Sequence, residues 1–307
     1  MQKTKKMNHK GFSAVLISLP ALLLIGLIIV FPILYTFYIS FTNMNIYHWF
    51  TFELIGFENY RRVLFVLDSG FLRALWMTIL WTVVNMSLQL VVAFIIASLL
   101  NHRHMKFNGF YKTLLMIPWA IPGYVSILLW RTGMFNTEFG LFNQWMRSLG
   151  FETVQWLSGD IIAFISVTVV NLWLALPFMI MIMDGALQSI DQSYYEAADL
   201  ESANVLQKAR LITVPLMKPV IAPAVVITIF TTFKQFDIIY LLIMQPAART
   251  GANIHTILTY AYENAFITSN YGYSSAISIV IFMMLIGFTL GFNRQMRKGG
   301  IKHVEQH

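Results

Sequence analysis

Long apolar stretches alternate with polar segments along the whole chain. Six stretches are long enough to cross a bilayer, which takes roughly 20 mostly apolar residues in a helix. They cover residues 12–39, 73–100, 110–130, 161–183, 219–244 and 273–292. The pattern predicts an all-α polytopic membrane protein with six transmembrane helices.

The apolar stretches also contain polar and small residues that contact with lipid alone does not favour. We therefore expect the helices to pack on one another or to line a polar cavity. The third stretch contains "MIPWAIPG", where Pro118 and Pro122 remove backbone donors and predict a bend. In the following loop, "FGLFNQWMRSLG" places apolar residues at helical spacing between Gly140 and Gly150, which predicts a short amphipathic surface helix.

The polar segment between the fourth and fifth stretches has a helical rhythm of its own. Ser193 and Glu196 have the spacing of a capping box, in which the glutamate bonds back to the serine N–H. A second short helix is expected through "KARLITV", limited by Pro215 and Pro219. The segment thus predicts two short helices outside the bilayer, joined by a bend near Ser202. From the residues alone, this is either a capped loop or a docking element for another protein.

The distribution of positive charge predicts the orientation of the chain. Of 21 Lys and Arg residues, fourteen lie in the N-terminal segment, the second and fourth loops and the tail, among them Lys3, Lys5, Lys6 and Arg103. Six, including Arg249, lie in the other loops, and Lys234 lies within a stretch. The positive-inside rule then places both termini and the fourth loop in the cytoplasm. With 57% hydrophobic and 11% charged residues, the net charge of +7 indicates a membrane protein and no nucleic-acid partner.

A few polar residues within the predicted helices are candidates for a solute pathway. Amides bond hydroxyl groups and aromatic rings cover the apolar face of a sugar, but the same residues also serve plain helix packing. Lys234 and Asp237, three residues apart, are expected to pair on one face of the fifth helix, for the pathway or for structure alone. The pathway candidates are Asn85, Gln89, Asn171, Trp173, Lys234, Asp237 and Tyr240.

Intrinsic chemistry is not indicated by the sequence. The chain has no cysteine and no phosphate-binding G-x-x-x-x-G-K-[ST] loop, so we expect neither enzymatic activity nor a nucleotide site of its own. The His102-x-His104 pair has no acidic residue nearby in its segment. His303 and His307, with Glu305 between them, lie in the tail, where histidines are usually solvated, so we expect no metal and no cofactor.

The fourth loop resembles the "EAA" loop of permease subunits in type I binding-protein-dependent ABC importers. That pattern runs from E-A-A through an acidic residue, Gly and Ala to an Ile-x-Leu-Pro ending. The residues that match it are Glu196, Ala197, Ala198, Glu201, Ala203 and Pro215, while Ser202 stands where the family has glycine. Because glycine adopts a left-handed turn at much lower cost, the departure leaves the form of that turn open.

A second resemblance is to the carbohydrate-uptake branch of these permeases, which includes maltose, oligosaccharide and glycerol-phosphate permeases. It is carried by "FKQFDIIYLL", which contains Tyr240, and by "YAYENAF" and "YGYSSA" farther on. Together the two resemblances cover about residues 70–293.

The resemblance implies a function that the residues alone do not give. It implies half of a translocation pathway for a sugar, built with a second related permease, two ATP-binding subunits, membrane lipid and an extracytoplasmic solute-binding protein. The EAA loop, as a cytoplasmic coupling helix between helices four and five, would meet the ATPase. The chain then divides into an N-terminal segment, first helix and external loop (1–70), a transmembrane domain (71–293) and a cytoplasmic tail (294–307). A non-carbohydrate importer and a secondary transporter without ATPase remain alternatives.

Overall fold

The computed structural model describes residues 9–66, 70–102, 105–244 and 251–304, with side chains from Ile17 to Phe292 and at Arg294. Lys3, Lys5, Lys6, Arg103, His104, Arg249 and His307 lie outside these described residues. Within them the structure is helical, apart from one isolated bridge between Thr42 and Leu54. Two compact units are present, one formed by residues 1–71 and 260–307 and the other by residues 72–259.

Within the described residues, the helices follow one another with short π-helical turns at five places. The α-helices are α1 (His9–Ile25), α2 (Phe31–Ile39), α3 (Glu58–Phe65), α4 (Phe71–Leu100), α5 (Asn108–Leu115), α6 (Ile117–Ala120), α7 (Gly123–Leu129), α8 (Leu141–Ser148), α9 (Asp160–Gln188), α10 (Gln192–Leu200), α11 (Val205–Lys208), α12 (Val214–Phe233), α13 (Asp237–Ile239), α14 (Ile257–Tyr262) and α15 (Tyr271–Val304). The π-helical turns are Gly26–Val30, Trp130–Met134, Ala209–Thr213, Tyr240–Met244 and Glu263–Ile267.

Five helical stretches among the described residues are long and apolar enough to cross a membrane. They are Ile17–Ile39, Phe71–Leu100, Asp160–Gln188, Val205–Met244 and Tyr271–Phe292. In the first stretch, none of the residues in its most apolar 18-residue part is buried inside the protein. In the other four stretches, at most 39% of the residues in that part are buried. Apolar side chains left outside the fold in this way are expected where lipid is the solvent.

The third predicted transmembrane helix is not one continuous helix. Residue Ile121 is extended, with φ −102° and ψ 133°, and separates α6 from α7. Pro122 follows it and lies at the N-cap of α7. A residue before proline is driven out of the helical region by contact with the proline ring, which accounts for the break. The predicted bend is therefore confirmed, but it is a complete interruption of the helix.

The first unit is held together by close backbone approach near the start of α15, which packs against α2 and α3. Asn59 is buried and donates to the carbonyls of Ser40 (3.0 Å) and Thr42 (2.8 Å). Gly272 donates its N–H to the Met44 carbonyl at 2.9 Å. A Cβ at Gly272 would overlap the Thr42 carbonyl oxygen. The "YGY" segment therefore needs glycine at its centre.

The second unit has two apolar clusters, each formed partly by α4 and α9. One includes Trp81, Val167 and Val170 together with residues of α7 and α13. The other includes Met86, Ala93, Met179 and Ile180 together with Met217 of α12. The predicted amphipathic surface helix is also present here as α8, with Gly140 at its N-cap. These contacts hold α4, α9 and α12 together. The three helices carry or border the polar residues and the 191–213 loop described in the next subsection.

Candidate functional site

The Glu196 loop, defined as residues 191–213, begins with a cap that the sequence interpretation placed wrongly. Asp191 is the N-cap of α10, and its side chain accepts from the Ser193 N–H at 2.8 Å. That backbone hydrogen bond lowers the pKa of Asp191. Ser193 thus lies inside the helix, and the predicted Ser193–Glu196 capping box is wrong. Asp191 comes two residues earlier and uses the free N–H groups of the first turn, which leaves Glu196 exposed and outside the cap.

The bend at Ser202 is a left-handed turn, even though the residue is not glycine. Ser202 has φ +57°. Its N–H bonds the Asp199 carbonyl at 3.0 Å, and the next N–H, of Ala203, bonds the Ala198 carbonyl at 2.9 Å. This pair of bonds is the Schellman arrangement that ends many helices. The form of this turn, which the sequence left open, is therefore left-handed with serine at its centre.

The second half of the loop continues directly into the following long helix. Asn204 and Gln207 form a reciprocal capping box, with bonds of 2.8 and 2.9 Å, at the start of α11. The π-helical turn Ala209–Thr213 then leads into α12, and Pro215 lies in the first turn of that helix. The expected separate second helix, limited by Pro215 and Pro219, is therefore wrong. Proline needs no N–H partner in a first helical turn, so Pro215 does not stop the helix.

Two side-chain contacts fasten α10 to this continuous helix. The Tyr195 hydroxyl lies 3.0 Å from the Thr213 hydroxyl oxygen. The Lys208 ammonium pairs with the Asp199 carboxylate. Lys208 directly precedes the π-helical turn and Thr213 ends it, so these contacts tie α10 to the start of α12.

The outer surface of the Glu196 loop combines an acidic group with uncovered apolar side chains. Leu200 is 90% exposed and Val205 is 84% exposed, and Glu196 and Glu201 are exposed nearby in the chain. Ala197 is exposed, while Ala198 and Ala203 are partly buried under the Schellman turn. Exposing large apolar side chains such as leucine and valine to water is unfavourable in a loop that contacts nothing else. The surface has the composition of a docking site for another protein.

Two of the predicted pathway residues meet inside the second unit. The Asn171 amide of α9 donates to the Asn85 Oδ1 of α4 at 2.6 Å, and both side chains are buried. Gln89, one turn farther along α4, is fully buried, and neither its side-chain oxygen nor its nitrogen has a partner among the described residues. Trp173 is partly buried with its ring centroid 5.8 Å from that of Trp130. The polar candidates on α4 and α9 therefore lie along one helix interface.

Lys234 and Asp237 do not form the predicted pair. Helix α12 ends with Lys234 as its C-cap, and α13 begins only at Asp237. Both side chains are exposed, and the ion pairs within the described part of the chain do not include them. Tyr240 stacks on Phe236 with ring centroids 5.0 Å apart. The expectation of one continuous helical face was wrong because the helix breaks between the two charges.

Sequence reasoning missed a buried carboxylate near the end of α9. Asp184 is only 4% exposed, and it accepts hydrogen bonds from Asn101, Lys112 and Gln188. The signal was present, since one acidic residue stands in "MIMDGAL". The predicted fourth stretch ended at residue 183, one residue before Asp184, whereas α9 continues to Gln188.

Comparisons with known proteins agree on one family. Residues 89–297 match the family described as binding-protein-dependent transport system inner membrane component. The chain is 33% identical to the trehalose/maltose transport system permease protein MalF of Thermococcus litoralis, over 90% of both chains. It is 32% identical to the galactooligosaccharides transport system permease protein GanP of Bacillus subtilis, over 92% of this chain and 69% of the relative.

A solved structure shares the fold at lower identity. A chain of a bacterial ABC transporter involved in the import of the acidic polysaccharide alginate superposes with a TM-score of 0.75 at 19% identity, over 94% of this chain and 96% of that one. The fold described above is therefore one already seen in a transporter. On the match to its family model and the identity to these relatives, the chain belongs to the inner membrane components of binding-protein-dependent transport systems.

Proposed function

We propose that this chain is the permease subunit of an ATP-driven importer and forms half of the translocation pathway for a sugar or oligosaccharide. In this proposal a second related permease forms the other half, two ATP-binding subunits supply the energy, and an extracytoplasmic solute-binding protein delivers the solute. The chain crosses the membrane six times, with both termini in the cytoplasm. The interrupted α5–α7 segment is the third crossing.

The Glu196 loop carries this proposal. Its exposed acidic and apolar surface suits insertion into a cleft on an ATPase lined by basic groups, with Ala197 and Ala198 allowing close approach. The Tyr195–Thr213 and Lys208–Asp199 contacts join the loop to α12, so ATP-driven movement at the loop is passed to a membrane helix. Switching between two states requires this kind of mechanical connection.

The proposed solute class rests on the relatives and on the buried polar interface of α4 and α9. Relatives are named for trehalose/maltose, galactooligosaccharides and maltodextrin. The solved alginate transporter was captured with an alginate pentasaccharide-bound periplasmic protein. Asn85, Gln89 and Asn171 offer amide groups and Trp173 offers a ring, which is the chemistry that binds hydroxyl-rich solutes. Lys234, Asp237 and Tyr240, which follow the end of α12, remain proposed contacts nearer one mouth of the pathway.

The test of this function is uptake by the complex of this chain with its partner subunits in proteoliposomes. Labelled maltose, trehalose, a galactooligosaccharide and glycerol 3-phosphate are offered with the solute-binding protein and ATP. We expect ATP-dependent uptake of at least one neutral sugar by the wild-type complex. Uptake of glycerol 3-phosphate alone would assign the chain to a non-carbohydrate importer. Uptake of a sugar without the ATPase would identify a secondary transporter.

Replacing Glu196 tests the role of the loop. Glu196→Lys should lower uptake and substrate-stimulated ATP hydrolysis by about tenfold or more, because a charge pair with the ATPase is replaced by repulsion. Since Glu196 does not cap α10, the change should leave the fold of this chain intact. Glu152→Lys makes the same charge change on an exposed position of the 131–160 loop and should behave as wild type. Wild-type uptake by Glu196→Lys would remove the loop from the coupling mechanism.

A further inference from the structure

A single buried carboxylate joins three helical elements of the second unit. The Oδ2 of Asp184 accepts from Lys112 Nζ at 2.7 Å and from Gln188 Nε2 at 2.9 Å. The Oδ1 accepts from Asn101 Nδ2 at 2.8 Å. Lys112 belongs to α5, Asn101 directly follows α4, and Asp184 and Gln188 belong to α9. All four groups converge at the end of α9 that leads to the Glu196 loop.

This cluster is more elaborate than packing requires. A buried ion pair repays its loss of hydration only when the geometry is good and further hydrogen bonds are made, and well-packed apolar residues often stabilise equally well. Asp184 satisfies both oxygens with three donors, one of them charged, so its attachment is strong and directional. Ionisable groups inside a membrane protein are functional candidates by default.

The cluster lies where a mechanical connection is needed. Asp184 lies seven residues before Asp191, the N-cap of the Glu196 loop. Lys112 lies on α5, before the interruption at Ile121 and Pro122. Beside this interruption lies an open pocket of about 240 Å³, lined by Leu114, Pro118 and Trp173 among others. The interrupted segment meets α9 on both sides of this pocket, through the Lys112–Asp184 pair on α5 and through Trp119 of α6, which stacks on Phe178.

We propose that Asp184 is a positioning residue that makes a permanent joint between α9, α5 and the end of α4. Through this joint the three elements move with the Glu196 loop as one body. Displacement of the loop then reaches the interrupted third segment directly, in addition to its path through α12. This inference rests on the proposed function, because it assigns Asp184 a part in the same ATP-driven switching.

The charge-neutral variant Asp184→Asn separates this role from simple stability. In proteoliposomes we expect basal ATP hydrolysis per assembled complex to be kept, while stimulation by the loaded solute-binding protein and sugar uptake fall about tenfold. A merely structural role would lower the yield of complex and leave the stimulation ratio of the remaining complexes unchanged. Glu58→Gln is the matched control, since it breaks an exposed ion pair of 2.8 Å with Arg61 and should change neither quantity.

A second variant covers the case in which Asp184→Asn does not assemble. Asp184→Asn combined with Lys112→Met removes both charges and leaves no partly buried lysine without a counter-ion. It should assemble and show the same loss of stimulation. A stimulation ratio and uptake within twofold of wild type in either variant that assembles would overturn the proposal.

Cross-linking decides whether the joint stays closed during transport. The chain has no cysteine, so Asp184→Cys with Lys112→Cys can be bridged specifically by a bifunctional methanethiosulfonate reagent of about the length of a lysine side chain. We expect the bridged complex to recover most of the uptake that the unbridged double variant loses. Lower uptake after bridging would mean that the contact must open, which overturns the joint. Absence of ATP-dependent uptake in the wild-type complex would instead count against the proposed function itself.

Discussion

Ser202 occupies a backbone region that most side chains avoid. A residue other than glycine there carries a cost of about 1–2 kcal/mol from contact of Cβ with the neighbouring carbonyl. The two Schellman hydrogen bonds and the capping box that follows offset this cost, since they satisfy backbone groups at both sides of the turn. The turn is therefore specified by its surroundings more than by residue 202.

Substitutions at Ser202 should separate these contributions. Ser202→Gly should be neutral or stabilising by up to about 1 kcal/mol, because relief of strain is partly offset by the greater freedom of the unfolded chain. Ser202→Val should weaken the turn, since a β-branched residue is a genuine outlier at positive φ. Hydrogen exchange of the Ser202 and Ala203 amides measures both effects. Equal protection in the two variants would show that the left-handed geometry at residue 202 has little energetic weight.

The Glu196 residue was found from its motif, but its surroundings were not predictable by the same route. Capping depends on which of several nearby polar residues reaches the free N–H groups, and Asp191 and Ser193 both have suitable side chains. Sequence spacing favoured Ser193, whereas the backbone starts the helix at Gln192. The buried Asp184 was missed for a related reason, because hydropathy alone does not define where a helix ends.

The elements themselves were predicted with uneven success, for physical reasons. Apolar runs at 73–100 and 161–183 matched continuous helices, and Pro177 lies inside the second of these without breaking it, as membrane-spanning helices tolerate. The 110–130 run did not, since Pro122 and the residue before it interrupt the ladder. The fifth run began later in the prediction than in the structure, because Pro215 is accommodated in a first helical turn. The helix of the fifth run breaks again at residues 234–236, where the sequence has no proline or glycine that would predict a break.

The contact between α4 and α9 gives a prediction about how two helices stabilise each other. Asn171→Ala leaves the buried Asn85 Oδ1 without its donor, which should cost about 1–3 kcal/mol. Asn85→Ala should cost a similar amount, and the double variant should cost less than the two single effects together, because one hydrogen bond is lost in all three. Thermal unfolding of the detergent-purified protein measures the cycle.

Gln89→Leu is the matched control for this cycle. Gln89 lies on the same helix with no partner for its side chain among the described residues, so its replacement breaks no hydrogen bond there. Stability should be unchanged or higher, and any rise in the KM for sugar uptake would then report direct contact with solute.

Additive effects of Asn85→Ala and Asn171→Ala would show that their hydrogen bond does not stabilise the helix pair.

At the scale of the whole molecule, the open question is whether the α5–α7 segment crosses the membrane. Among the described residues, five helical stretches are long and apolar enough to cross a membrane, which is an odd number. The interrupted segment therefore determines whether the two termini lie on the same side. With about 1.5 Å of rise per helical residue, the segment from Asn108 to Met134 reaches roughly 30–40 Å, enough for a hydrocarbon core of about 30 Å. Its extended residue would then need to lie against protein rather than lipid, since lipid offers its backbone no hydrogen bonds.

Single cysteines on the loops around this segment decide the matter, because the chain has none of its own. Lys106 precedes the segment, Trp145 and Glu152 follow it, and Glu196 lies beyond α9; all four are exposed. If the segment crosses, an impermeant maleimide added to intact cells should label Trp145→Cys and Glu152→Cys and spare Lys106→Cys and Glu196→Cys, while a permeant maleimide labels all four. If the segment instead returns to the side it came from, Lys106→Cys, Trp145→Cys and Glu152→Cys would all behave alike, and Glu196→Cys, beyond α9, would show the opposite result. The distribution of Lys and Arg favours the first result, since Lys106 and Lys112 belong with Lys208 and Arg210 on the positively charged side. Labelling of Glu196→Cys from outside would contradict the crossing arrangement, and with it the placement of the Glu196 loop against a cytoplasmic ATPase.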